Sequence, residues 1–173
     1  MNHIDLDLQN VFEARVGAAG LPNNLFESLG HRLAEAHRAL HTRVDSGELP
    51  FLRLHEDHAT RDAVLSLAAA HRRRFDDLVV LGIGGSSLGG RALLAALGGS
   101  GLRVHFPDNL DPDRFSSLLA GLDLRRTVFN AISKSGGTLE TLAQLLIVRE
   151  RLRDFGPQAM AEQIVITTDP ERG

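Results

Sequence analysis

From residue 77 onward the sequence alternates between two periodicities, and this alternation limits the fold more than any other feature. Short apolar runs predict strands over Leu78–Ile83, Leu102–Phe106, Thr127–Ser133 and Gln163–Thr167. Between them, helical spacing predicts helices over Ser87–Leu97, Pro112–Leu122 and Thr138–Phe155, the second opened by the Asp111–Pro112 pair. Such alternation predicts a parallel α/β sheet with right-handed crossovers and helices on both faces. Its ligand crevice is expected at the carboxyl ends of the strands.

Residues 1–76 read differently. Leu25, Leu29, Leu33, Ala36 and Leu40 form the apolar stripe of a helix over 24–43, with Asn24 as its cap and Gly47 beyond its end. A second helix is expected over Thr60–Arg74, and a weaker helical pattern surrounds Val11. No Gly-rich or Ser-rich linker separates this portion from the rest, so it is expected to pack on a core formed by residues 77–173.

Composition narrows the function. The 173 residues, 43% hydrophobic, suffice for one sizeable core. A net charge of −3 and the lack of Trp and Tyr offer neither the basic field nor the stacking platforms of a nucleic-acid groove. Without cysteine there is no disulfide framework and no thiolate chemistry. No apolar run reaches the length of a membrane span, and "MNHIDLDLQN" is acidic where a signal peptide would be basic. The expectation is a cytoplasmic protein with no nucleic-acid or membrane partner.

Two turns of small residues mark the candidate site. In "VVLGIGGSSLGG" a strand passes through Gly82, Gly84, Gly85, Ser86 and Ser87 directly into a helix. In "AISKSGGTLET" another does so through Ser133, Lys134, Ser135, Gly136, Gly137 and Thr138. Glycine lets backbone N–H groups approach a ligand closely, and the helix that follows adds the positive end of its dipole, so an anion is the favoured guest. Hydroxyls and an ammonium suit a phosphate dianion, which offers acceptor oxygens only. Lys134 is also the single lysine among 19 Lys and Arg residues, which marks it as a position where arginine does not serve. The competing reading, that Ser and Thr merely cap helices while Gly relieves strain, loses ground when two such loops leave two strands of one sheet.

Other motifs fit less well. The first loop supplies two glycines of a dinucleotide fingerprint, with Asp108 available for a ribose, but Ser87 stands in the third glycine's place. The P-loop spacing from Gly85 to Gly90 is followed by Arg91 and Ala92 rather than by Lys and a hydroxyl. Gly85-Ser86-Ser87-Leu88-Gly89 matches a nucleophile elbow, yet only His105 follows it and no acid lies between. His37 and His41, and His55 and His58, have chelating spacings on helices, but no third ligand is tied to either pair and no metal is expected. Glu140 lies in the first turn of its helix, where the dipole alone favours a carboxylate.

Taken in order, "GIGGSSLG" at 82–89, "DNLDP" at 108–112, "SKSGGTLET" at 133–141 and "TTDPERG" at 167–173 resemble the landmarks of the glucose-6-phosphate isomerase family, in its N-terminal sugar isomerase (SIS) domain. The resemblance implies a three-layer α-β-α sandwich with strand order 2-1-3-4-5, the fifth strand falling beyond this sequence. It implies a sugar-phosphate substrate, with Ser133, Lys134, Ser135 and Thr138 around the phosphate and the backbone of Gly85 and Ser86 near the sugar. No cofactor is implied, and the family's complete enzyme is expected to be a homodimer. Gly137 departs from the commonest pattern, which has Thr there. The family's base, a Glu, its ring-opening His and a second Lys lie in later segments, so no catalytic residue is assigned and the chain alone is expected to be inactive, as a truncated part of the enzyme. A non-catalytic SIS module that senses a phosphosugar is the alternative.

Overall fold

A computed structural model describes residues 5–99 and 101–171, so Arg172 and Gly173 of the "TTDPERG" segment and the first four residues lie outside the described residues. The chain forms two compact units, Met1–Arg61 and Asp62–Gly173.

The first unit contains a short helix α1 (Glu13–Val16) and a long helix α2 (Leu25–Asp45), followed by a 3-10 segment, Pro50–Glu56. Asn24 does precede α2, but its side chain makes no capping bond. Gly47 beyond the helix end has φ of 78°, a conformation that favours glycine. The apolar stripe of α2 is present, with Leu33 and Leu40 left 47% and 45% exposed. None of this unit's described residues is fully buried. Local contacts such as the Arg43–Glu48 ion pair at 2.8 Å therefore matter to a helix that packing supports only in part.

Helix α3 (His58–Arg72) contains the division between the units and starts earlier than the apolar pattern predicts. The reason is local: the Thr60 N–H donates to Asp57 Oδ1 at 3.0 Å, which caps the first turn.

The second unit is the α/β sheet. Strands β1 (Asp77–Leu81), β2 (Arg103–His105), β3 (Thr127–Ile132) and β4 (Ile164–Thr167) are all parallel, in the order β2-β1-β3-β4. Helices α4 (Gly85–Leu97), α5 (Pro112–Ala120) and α6 (Leu139–Leu152) fall between them as expected. Asp111 accepts from the N–H groups of Asp113 at 3.0 Å and Arg114 at 2.9 Å, with Pro112 opening α5. Asp111→Ala is expected to cost about 1 kcal/mol in chemical denaturation, because both first-turn donors lose their partner.

Side-chain alternation sorts the layers. Val79 and Leu81 of β1 and Phe129 and Ala131 of β3 share one face, buried under Phe115 and Leu119 of α5 and Val148 and Leu152 of α6. Leu78 and Val128 point to the other face, towards α3 and α4, where an apolar cavity of about 420 Å³ remains between Leu67, Leu94 and the sheet. Helices α4 and α5 thus leave the sheet on opposite sides.

The structure departs from the pattern in detail. Strand β2 has three residues rather than five, and α6 ends at Leu152, where a 3-10 turn, Arg153–Phe155, follows. A further helix α7 (Pro157–Gln163) then forms, announced by Gly156 at φ 89° and by Pro157 in its first turn. Gln163, expected to begin the last strand, instead closes α7, and its Nε2 donates to the Thr127 carbonyl at 2.7 Å. A polar side chain that reads as strand is spent on pinning a helix.

The short edge strand is secured at the sheet's amino end. Asp77, 1% exposed, accepts from Arg103 Nε at 2.8 Å and Nη2 at 2.7 Å, and from His105 Nε2 at 2.8 Å. The Arg103 guanidinium above all, then the His105 hydrogen bond, hold the Asp77 carboxyl down to about 2 against the cost of burial.

Candidate functional site

Neighbouring parallel strands bring the two small-residue turns together. In the β1–β3 ladder Leu81 is the partner of Ala131, so the chain leaves both strands side by side, at Gly82 and just before Ser133. Strand β1 lies between β2 and β3 while α4 and α5 take opposite faces, which makes this the topological switch point of the sheet.

The first turn is shaped by close approach. A Cβ on Gly82 would come within 3.0 Å of Ser86 Cβ and 3.1 Å of the Ser86 carbonyl oxygen, a tight approach that glycine relieves where the strand meets the helix. Gly84 has φ of 58° at the start of α4. Ser87 is fully buried and donates to the Gly84 carbonyl at 3.3 Å. The N–H groups of Ser86 and Ser87 bond back to Ile83 and Gly84, which leaves those of Gly84 and Gly85 without a partner among the described residues.

The second turn is cross-braced. Ser133, buried, exchanges a hydrogen bond with the Thr138 hydroxyl at 3.0 Å across the loop. The Gly137 N–H donates to Ser135 Oγ at 3.3 Å, and Gly136 takes φ of 66°. Thr138 occupies the N-cap of α6 with its side chain turned to Ser133 rather than to the helix, so the first N–H groups of α6 face the loop. Lys134 and Ser135 are exposed, and no carboxylate lies within ion-pair distance of Lys134 among the described residues. The turn that opens α4 and the turn that opens α6, the second carrying Lys134 and three hydroxyl side chains, thus leave the carboxyl ends of neighbouring strands.

Several supporting residues escape a reading of sequence. Thr168, just after β4, donates to the Ser133 carbonyl at 2.7 Å, while Thr167 donates to Asn130 Oδ1 at 2.9 Å. Gln144, 1% exposed on α6, donates from Nε2 to the Pro107 carbonyl at 2.7 Å and so ties α6 to the loop after β2. Arg91 on α4 grips the same loop through Asp108. That ion pair occupies the carboxylate considered for a ribose, and the buried Ser87 fills the close-packed corner a third glycine would leave open. The "TT" of the last landmark had a spacing signal but no readable partner; Gln144 had neither.

A parallel sheet wound with helices on both faces, with two small-residue turns side by side at its switch point, defines an α/β protein of the sugar-isomerase kind. The particular family follows from comparison. A family model described as phosphoglucose isomerase matches residues 66–172, and the chain belongs to that family. It is 35% identical to glucose-6-phosphate isomerase of Carboxydothermus hydrogenoformans over 98% of this chain and 39% of that relative. With a glucose-6-phosphate isomerase of Thermus thermophilus the identity is 40%, over 90% of this chain and 37% of the relative. Among solved structures, a hypothetical protein from another strain of Thermus thermophilus superposes with a TM-score of 0.77 at 38% identity, covering 87% of this chain and 36% of that one. The chain therefore spans about two fifths of the length of the curated relatives it matches.

Proposed function

We propose that this chain carries the phosphate-holding part of an isomerase that interconverts glucose 6-phosphate and fructose 6-phosphate. The adjacency of the Gly82–Ser87 and Ser133–Thr138 turns on paired strands is the observation that carries this reading. In it, Ser133, Lys134, Ser135 and Thr138 surround the phosphate, and the backbone of Gly85 and Ser86 lies against the sugar. The reaction opens the ring and moves a proton between C2 and C1 through an enediolate, which needs a carboxylate base and a group to steady the oxyanion. No residue of this chain is given the role of base, so its part is to bind and orient. The same reading makes the complete enzyme a cytoplasmic homodimer of glycolysis and gluconeogenesis.

Titration with fructose 6-phosphate, followed by NMR, tests it. Shifts centred on residues 82–87 and 133–138, absent with unphosphorylated fructose and with NAD, are expected, and a coupled assay should detect no turnover by the chain alone. Saturable binding confined to other residues would refute the assignment.

Gly137 allows a gain-of-affinity test. Its backbone is not left-handed, and an added Cβ would meet nothing nearer than Ser135 at 3.9 Å, so threonine fits. Gly137→Thr is expected to tighten phosphosugar binding by about threefold to tenfold, the worth of one added hydroxyl hydrogen bond. Calorimetry of both proteins would read it directly.

A further inference from the structure

Spacing alone leaves His37 and His41 as an ordinary pair on a helix surface; their geometry says more. Both are exposed on α2, one turn apart, with Nε2 atoms 3.1 Å from each other and ring centroids 4.4 Å apart. Two imidazole nitrogens bound to one zinc-like ion, each at about 2.0–2.1 Å, stand about 2.9 Å apart at a right angle and about 3.4 Å apart at the tetrahedral angle. The observed separation falls between those limits.

We propose that His37 and His41 form a chelating site for a borderline divalent transition metal such as Zn²⁺, both rings ligating through Nε2. Without metal, a hydrogen bond between the two nitrogens accounts for their approach, one ring donating and the other accepting. Binding requires the donor ring to carry its proton on Nδ1 instead, which solvent can exchange because both rings are exposed. Other described histidines are engaged differently: His31 faces the Glu35 carboxylate at 3.6 Å, His58 Nδ1 lies 3.1 Å from Arg61, and His105 is held by Asp77. Asp45 lies one turn beyond His41 on the same side of α2 and shares a shallow depression with the pair. No third His, Cys, Asp or Glu among the described residues completes a metal-binding group, so water fills the remaining positions. A two-ligand site of this kind exchanges its metal readily, unlike the four-ligand sites that hold a fold together.

The bite of the chelate exists only while residues 37–41 are helical. Metal binding is thereby linked to the stability of α2, a helix whose apolar stripe is half exposed.

Zinc chloride titrated into the chain, followed through the histidine ring resonances and by far-ultraviolet circular dichroism, is the test. His37 and His41 should respond first and together, with a gain in helix stability. His41→Ala and His37→Ala should each weaken binding roughly tenfold or more, because one ligand loses the proximity advantage of two. The double variant should be little worse than either single one. Alanine favours helix, so these variants keep α2 intact. His31→Ala and His55→Ala should leave the titration unchanged. First responses at other histidines, or undiminished affinity in His41→Ala, would overturn the proposal.

Discussion

Lys134→Ala is expected to weaken fructose 6-phosphate binding by roughly tenfold to a hundredfold, the worth of a hydrogen bond between charged partners. The effect should be large because no carboxylate competes for the Lys134 ammonium among the described residues. The loop itself should survive the change. Its bracing comes from Ser133, Thr138 and Thr168, and Lys134 is exposed. Binding in the variant should also depend less on salt, since one charge pair is gone. Lys134→Arg should recover only part of the affinity, because a planar guanidinium cannot take the place of a compact ammonium between hydroxyls. Calorimetry at two ionic strengths reads both effects. If all three proteins bind alike, Lys134 has no part in the site.

Asp77→Asn is expected to cost about 2 to 3 kcal/mol of stability, although it lies at the opposite end of β1 from the two small-residue turns. The substitution keeps the shape of the side chain but removes the charge that takes two bonds from Arg103 and one from His105. Strand β2 has only three residues and pairs on one side, so this cluster is a large share of what holds it. The wild type should also show a corresponding acid dependence. Because the folded carboxyl sits near 2, below its usual 3.8, the stabilisation is complete above about pH 4 and is lost as pH falls towards 2. Urea denaturation across that range should show the loss in the wild type and a flatter profile in Asp77→Asn. Equal stability of the two proteins at neutral pH would show that the ion cluster contributes nothing net.

The layers of the sheet were legible because burial imposes period. Val79 and Leu81 must alternate with Leu78 and Val80, while Phe115 and Leu119, four residues apart, must share a helix face. The two turns were legible because backbone chemistry is local. Gly82 at close approach and Gly84 at positive φ need no distant partner to explain them. The Asp111 cap likewise reports only on its own helix. Where reading failed, a residue took its role from something remote along the chain. Gln163 looks like strand until the Thr127 carbonyl is found beside it, and Gln144 is anonymous until α6 meets the loop after β2.

Most element types, the parallel sheet and the two small-residue turns were thus readable from the order of residues, since each depends on local conformation or on the period of an apolar run. Folding was needed to show which polar side chains support them: Thr168 under Ser133, Gln144 under Pro107, Arg103 and His105 on Asp77, and the approach of His37 to His41. A hydrogen bond requires two atoms within about 3 Å, and spacing along a chain does not encode that distance until the chain is folded.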